Sequence, residues 1–333
     1  MTRLRVAVLA GGRSSEHDIS LASARSVLDS LDSDRYDVLT VAIGRDGRWE
    51  LGSGDGASVA ETLPVPAANA PAALGAVDVV LPILHGPFGE DGTVQGLLEL
   101  AGVAYVGAGV AASALCMDKD LFKKVLRDSG IPVARHVALR PGDDPAHPFG
   151  YPCFVKPARL GSSVGISKVH DEDELGPALE LAFRHDEKVL IEEFLDGAEV
   201  EVGVLGNFEP VASLPGQIVP LGHEWYDYAS KYEQGGMDLV VPPELPAVVI
   251  EQVQRLAVEA FRVTECEGMA RVDCFVVDGD RVVVNELNTI PGFTATSVYA
   301  KLFDASGVPY PELLERLIEL ALERRERRAK LQY

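Results

Sequence analysis

Long apolar runs, paired cysteines and basic charge are what this 333-residue chain lacks. No stretch approaches the roughly 20 apolar residues needed to cross a bilayer. The N-terminal Leu4-Arg5-Val6-Ala7-Val8-Leu9-Ala10 is too short for a signal-peptide core and reads as a first buried strand. The four cysteines, Cys116, Cys153, Cys266 and Cys274, form no Cys-x-x-Cys pair and no zinc spacing. Cys153 and Cys274 lie inside apolar runs, which suits buried thiols in a reducing, cytoplasmic setting. The seven histidines are scattered, so a metal centre built on imidazole is not expected. Lys and Arg number 30 against 51 Asp and Glu, a net charge of −21. That excess disfavours nucleic acid or an anionic membrane as partner. An anionic substrate would have to be met by local cations or metal. A Gly-x-x-x-x-Gly-Lys-Ser/Thr phosphate loop is also absent, which excludes a P-loop enzyme.

The length suggests two or three domains. Residues 4–10 form an apolar run that stops at Gly11-Gly12, and Glu16 to Leu31 follows with helical spacing. Further strands are expected at Asp37 to Ile43 and Asp78 to Leu84, with an irregular Ala-, Gly- and Pro-rich connection over 52–77. Glycine turns between these elements argue an open α/β layer, with function at the carboxyl ends of its strands. A helix is expected from Met117 to Ser129, stopped by Gly130-Ile131-Pro132. Strands at Pro152 to Pro157 and Val164 to Val169, and helices near Glu172 to His185, 245–263 and Tyr310 to Arg328, complete the pattern. The last helix is expected to pack on its apolar side and to leave its basic end solvated.

Arg271 to Val277 and Val282 to Asn288 are two β-branched runs around Asp278-Gly279, a strong hairpin signal. Arg271 and Asp273 share one face of their strand, and Glu286 and Asn288 share one face of theirs. A loop of two or four residues puts all four side chains on one side of the ribbon. A three-residue loop would throw Asp273 to the other side. Val282 and Val284 are expected on the face of Glu286. Two carboxylates and a carboxamide beside a guanidinium are the oxygen donors Mg²⁺ prefers.

Arg159-Leu160-Gly161-Ser162-Ser163-Val164-Gly165 follows Lys156-Pro157; small residues let backbone N–H groups approach phosphate, and hydroxyls add donors. Such a loop alone fits a plain hairpin equally well, and Lys156, Lys119 and Lys231 are what add weight to a phosphate site. Leu190 to Glu199 is an apolar strand end with clustered acids; by itself it reads first as a solvated edge, and as a functional segment it could meet a purine edge and a ribose. Tyr105-Val106-Gly107-Ala108-Gly109 imitates a dinucleotide fingerprint, but the next expected strand ends in Arg140 rather than an acid. A nicotinamide cofactor is therefore not expected.

In this order the motifs resemble an ATP-grasp enzyme. Gly11-Gly12-Arg13-Ser14-Ser15-Glu16-His17-Asp18-Ile19-Ser20, His85-Gly86-Pro87-Phe88-Gly89-Glu90-Asp91-Gly92 and Met117-Asp118-Lys119 narrow the resemblance to the D-alanine–D-alanine ligases. Tyr226-Asp227-Tyr228-Ala229-Ser230-Lys231-Tyr232 and Pro291-Gly292-Phe293-Thr294-Ala295-Thr296-Ser297 add to it. The resemblance implies an α/β and α+β chain with the ATP-grasp fold. Its N-terminal open parallel α/β layer would span 1–112, followed by two α+β subdomains, 113–196 and 197–333, that clamp ATP.

It further implies ATP-dependent ligation of two D-alanines through a D-alanyl phosphate, for peptidoglycan precursors, in a cytoplasmic homodimer. D-alanine–D-lactate and D-alanine–D-serine ligases share the fold and remain the nearest alternative. Asp273, Glu286 and Asn288 would hold two Mg²⁺ or Mn²⁺ ions. Lys119, Lys156 and Lys231 would contact phosphates, with Ser162 and Ser163 in the same loop. Glu192, Glu193, Leu195 and Glu199 would contact adenosine. Glu16 would take the first D-alanine's ammonium, in a triad with Ser162 and Tyr232. His85 would lie near that substrate, and Ser297 would contact the second one's carboxylate. Arg271 and the Gly292 N–H would form the oxyanion hole. Residues 220–236 would be a loop that closes over the site and excludes water.

Overall fold

In a computed structural model, the structure describes residues 3–52, 63–65, 74, 76–221 and 236–332. Its first sheet holds β1 (Leu4–Gly11), β2 (Tyr36–Ile43), β3 (Trp49–Gly52), β4 (Leu63–Val65), β5 (Val79–Pro82) and β6 (Ala104–Tyr105), in the order β4-β3-β2-β1-β5-β6. The β2-β1-β5-β6 core is parallel, and β3 and β4 extend it antiparallel. Parallel strands buried on both faces read as continuous apolar runs, as β1 does. Val6 and Val8 face one core, while Ala7 and Leu9 face another. α1 (His17–Ser30) and α2 (Thr93–Ala101) belong to this layer.

The second sheet is antiparallel, in the order β7-β10-β8-β9. It contains β7 (His136–Leu139), β8 (Cys153–Pro157), β9 (Ser167–Val169) and β10 (Val189–Glu193), with α5 (Glu172–Phe183) against one face. Asp171 caps α5, its carboxylate accepting the N–H groups of Asp173 and Glu174 at 3.0 and 3.3 Å. Alternation along β8 sends Cys153 and Val155 into the core under α5, and Phe154 and Lys156 to the opposite face.

The third sheet runs β14-β13-β11-β15-β16, with β12 on β11. Its strands are β11 (Gly197–Gly206), β12 (Val211–Ala212), β13 (Gly216–Pro220), β14 (Met237–Val240), β15 (Gly268–Val277) and β16 (Arg281–Asn288). Behind it pack α3 (Val110–Met117), α4 (Lys119–Asp128) and α6 (Ala247–Val263). α7 (Val298–Ala305) and α8 (Tyr310–Arg328) follow.

Three expectations are corrected. The helix expected from Met117 begins at Lys119, because Asp118 is extended and caps α4 by accepting the Leu121 N–H at 3.1 Å. α8 returns to the first sheet, with Leu313, Leu314 and Leu317 in the core of Val6 and Val8. Its basic end is not simply solvated: Arg324, only 3% exposed, donates to the Tyr105 and Gly107 carbonyls. The glycine loop that imitates a dinucleotide fingerprint is thus a docking point for α8.

The third correction concerns the β15–β16 hairpin. Val277 pairs with Arg281, so the loop is the three-residue 278–280, the length that should misalign Asp273. Yet Asp273 pairs with Glu286 and Arg271 with Asn288, because the register shifts between Asp273 and Cys274 and leaves Asn285 as an extra residue. The bulge cancels the loop. It also puts Val282 and Val284 with Leu287 in the core, on the face away from Glu286.

Candidate active site

Between the second and third sheets lies a cavity of about 360 Å³, within the usual range for a small-molecule site. One end is lined by Phe154, Ile166, Phe194 and Leu195, and Glu199 also faces it. The Lys168 ammonium stands 4.2 Å from the centre of the Phe194 ring. The Glu193 carboxylate is committed to Arg135, accepting from its backbone N–H at 2.8 Å and its Nε at 2.6 Å. The other end is lined by Lys119, Lys156 and the Gly161-Ser162-Ser163 loop. Ser162 and Ser163 both lie at positive φ, 52° and 56°, where L-residues are rare. Strain of this kind gathers at functional loops.

Charge is concentrated along the cavity floor. The Glu192 carboxylate receives Lys156 Nζ on one oxygen, and Lys123 Nζ stands 3.1 Å from the other. Burial pushes the Glu192 carboxyl up, but the two ammoniums outweigh it and hold the group down at about 2. Burial lowers Lys123 to about 8, and Glu192 only partly offsets this. Lys119 Nζ donates to the Leu160 carbonyl at 2.8 Å and lies 3.3 Å from Glu286.

On the ribbon, Arg271 Nε and Nη2 each donate to Asp273 at 2.7 Å, and Asn288 Nδ2 donates to Asp273 Oδ2 at 3.0 Å. Arg271 Nε also lies 3.0 Å from the fully buried Glu201. The donor set of Asp273, Glu286 and Asn288 is all oxygen and sits on one face beside cationic side chains. That chemistry fits Mg²⁺ with phosphate oxygens completing its shell.

A second group of residues gathers where the first sheet meets the loop after β16. Ser162 Oγ donates to Glu16, whose carboxylate also crowds Gly86 so closely that a Cβ there would clash. His85 Nδ1 donates to the Ile290 carbonyl at 2.9 Å, and its Nε2 lies 3.1 Å from Ser23 Oγ. A carbonyl can only accept, so Nδ1 carries the proton and Nε2 takes the Ser23 hydroxyl in the neutral ring. Burial lowers the pKa of His85, which favours that neutral form.

Glu90 accepts the N–H of Gly86 on one oxygen and that of Ile290 on the other, both at 2.8 Å. Burial, then Glu16, raises its carboxyl to about 8 in spite of those bonds. Ser23 Oγ takes the Phe293 N–H, Ser297 Oγ takes that of Thr294, and Ser26 Oγ takes that of Ala295. Pro291 has no N–H. The Gly292 N–H is thus left without a partner among the described residues of this segment. Ser297 Oγ sits beside it, 3.4 Å from where a Cβ would stand.

The D-ala D-ala ligase N-terminus family matches residues 5–108, and the D-ala D-ala ligase C-terminus family matches 125–319. A D-alanine–D-alanine ligase of Solibacter usitatus is 47% identical over 97% of this chain and 96% of its own. The D-alanine–D-alanine ligase structure from Coxiella burnetii superposes with a TM-score of 0.88 at 38% identity, covering 99% of this chain and 97% of that one. The Bacillus anthracis ligase complexed with ATP gives 0.81 at 30% identity, covering 98% and 99%. The VanG D-Ala:D-Ser ligase of Enterococcus faecalis gives 0.85 at 35% identity, covering 96% and 100%.

The chain belongs to the D-alanine–D-alanine ligase family. Its fold is that of these ATP-grasp neighbours.

Of the site residues that the family resemblance implied, Lys231, Tyr232 and most of the 220–236 loop lie outside the described residues. Of the others, Lys119, Lys156, Ser162, Ser163, Glu192, Glu193, Leu195, Glu199 and Glu286 line the cavity, Arg271, Asp273 and Asn288 lie with Glu286 on the ribbon, and Glu16, His85, Gly292 and Ser297 belong to the second group. Three residues of this ligase-family site were not anticipated from sequence. Lys123 follows Lys119 by one helical turn, and that spacing could have signalled it. Glu90 was visible inside its motif, but nothing local tells that it reaches Ile290. Glu201 stands in an apolar strand opposite Asp273, and that registry was the missing signal.

Proposed function

We propose that this chain joins two D-alanines into D-alanyl-D-alanine with consumption of ATP, supplying a peptidoglycan precursor. The observation that carries the reading is the ribbon face of Asp273, Glu286 and Asn288 beside Arg271, with Glu286 on the wall of a lysine-lined cavity. In this reading Glu192, Glu193, Leu195 and Glu199 hold adenosine, and Lys119, Lys156 and Lys231 hold phosphate oxygens beside Ser162 and Ser163. Asp273, Glu286 and Asn288 would hold two Mg²⁺ ions, which neutralise phosphate charge.

The carboxylate of the first D-alanine attacks the γ-phosphorus; the new O–P bond forms as the bond to ADP breaks. Glu16 pairs with that substrate's ammonium, near His85, and Ser162 and Tyr232 keep Glu16 in place. The second D-alanine, its carboxylate on Ser297, attacks as a neutral amine. The tetrahedral oxygen takes its charge between Arg271 and the Gly292 N–H. Collapse expels phosphate, the attacking nitrogen passes its extra proton to the departing phosphate or to solvent, and the amide remains. The 220–236 loop excludes water, which would otherwise hydrolyse the acyl phosphate.

The three-part division at 112/113 and 196/197, a cytoplasmic location and a homodimer belong to the same reading. No helix among the described residues is long and apolar enough to cross a membrane.

The test is ADP release against a panel of D- and L-amino acids and D-lactate, with products weighed by mass spectrometry. D-alanyl-D-alanine is expected to dominate at neutral pH. The VanG neighbour motivates D-serine as a second acceptor; predominant D-alanyl-D-serine or depsipeptide would overturn the substrate assignment.

A further inference from the structure

The register of the metal-ligand hairpin depends on a bulge, and a bulge leaves one residue's backbone outside the ladder. Here that residue is Asn285, between Val284, paired with Cys274, and Glu286, paired with Asp273. A buried carbonyl outside the ladder needs another donor. The Asn285 carbonyl receives Lys123 Nζ at 2.8 Å. Lys123 comes from α4, one turn after Lys119, and its side chain is 0% exposed. Its ammonium also stands 3.1 Å from Glu192 Oε2. Asn285, Glu286 and Glu192 line the cavity, whereas Lys123 lies behind them and is not part of the lining.

A lysine buried this completely is expensive unless its donors are used. Of its two partners, Glu192 is a functional position of the proposed site and Asn285 adjoins another, Glu286. Without the bulge, the three-residue loop would place Asp273 opposite Asn285 and turn Glu286 and Asn288 to the other face. The neighbouring edge is supported as well: Val284 N–H donates to the Pro132 carbonyl at 2.9 Å, just beyond α4. Helix α4 and the segment that follows it therefore hold the bulge from two points.

We propose that Lys123 is a positioning residue of the ligase: by capping the Asn285 carbonyl it maintains the bulge that aligns Glu286 and Asn288 with Asp273, and it ties that alignment to Glu192 at the nucleotide end. The proposal rests on the assignment of those three residues as the metal set. Lys123 touches neither substrate nor metal in this arrangement. It links the two ends of the cavity through one buried ammonium.

The experiment measures Mn²⁺ binding by the paramagnetic resonance of free Mn²⁺ at saturating ADP, alongside ADP affinity by calorimetry and the melting temperature. The proteins are wild type, Lys123→Met and Glu192→Gln. Lys123→Met is expected to weaken Mn²⁺ binding about 10-fold or more, the scale of lost support around a metal ligand. Glu192→Gln is expected to weaken ADP binding while leaving Mn²⁺ binding near wild type once ADP saturates. Wild-type Mn²⁺ affinity in a folded Lys123→Met overturns the proposal, as does a loss confined to ADP binding. If Lys123→Met does not fold, Lys123→Gln, which keeps a neutral donor on a shorter stem, takes the same measurement. Weaker Mn²⁺ binding in a folded Gln variant supports the assignment, and unchanged binding overturns it. Failure of wild type itself to bind Mn²⁺ would strike the metal assignment instead, so the two readings fail separately.

Discussion

The guanidinium of Arg271 grips the carboxylate of Asp273 through two bonds of 2.7 Å each. One buried ion pair thus joins the proposed oxyanion donor to a proposed metal ligand. Geometry of this kind explains why lysine is a poor substitute: an ammonium offers a point charge, not a fork. Arg271→Lys is expected to lower turnover about 10²-fold or more, the scale of one lost oxyanion donor. The KM for ATP should stay near wild type. Steady-state kinetics decide the point, and a matching loss in ATP binding would make Arg271 a phosphate clamp instead.

The two carboxylates proposed as metal ligands should differ in what they do for the fold. Asp273 is buried between Arg271 and Asn288, whereas Glu286 is partly exposed and meets Lys119 at 3.3 Å. Both Asp273→Ala and Glu286→Ala are expected to abolish ligation. Only Asp273→Ala should also cost stability, on the order of 3 kcal/mol, because it takes a paired, buried carboxylate from a largely buried guanidinium. Urea unfolding of both variants checks this; equal stabilities would show that the Arg271–Asp273 pair contributes little net.

The sequence-to-structure lesson is clearest in the same hairpin. Alternating β-branched residues around Asp278-Gly279 fix the two strands, and their face pattern identifies the four polar side chains. The register escapes that reasoning, because the bulge at Asn285 goes with a lysine from another element that meets its carbonyl. Tertiary contacts of this sort have no local signature. The same holds for Arg324, whose basic helix end looks solvated until the Tyr105 and Gly107 carbonyls are found around it. Helix α4 is a milder case. Its apolar spacing is legible, but its start is set by Asp118 acting as a cap, which the expected helix had absorbed into its first turn.

Glu90 shows the same limit at the site. It takes the Gly86 and Ile290 N–H groups while His85 takes the Ile290 carbonyl, so Ile290 is held from both sides two residues before Gly292. Loss of that grip should let the Gly292 N–H turn away from the developing charge. Glu90→Ala is expected to lower kcat about 10²-fold, the cost of a misplacement near 1 Å. Glu90→Gln keeps one acceptor oxygen, as the neutral acid does, and should fall between wild type and Glu90→Ala. KM for ATP should hardly move in either variant. A normal kcat in Glu90→Ala would remove the clamp from the catalytic account.

Glu192 is held at about 2 in the folded chain, below the ordinary glutamate value of about 4.3. A carboxyl depressed by folding contributes stability that is fully present above its unfolded pKa and is lost as pH falls through its folded pKa. The Glu192 contribution should therefore be complete above about pH 5 and shrink steadily toward pH 2, as protonation breaks its pairing with Lys123 and Lys156. In Glu192→Gln no proton can be taken up at this position, and the two lysines face a neutral amide at every pH. The stability gap between wild type and Glu192→Gln should then narrow as pH falls from about 5.5 to 3, where most of the shift has already been spent. Unfolding free energies for both proteins at half-unit pH steps measure that gap directly. A gap that stays constant over the range would mean that the Glu192 carboxyl titrates normally, and that the two lysines beside it do not hold its charge.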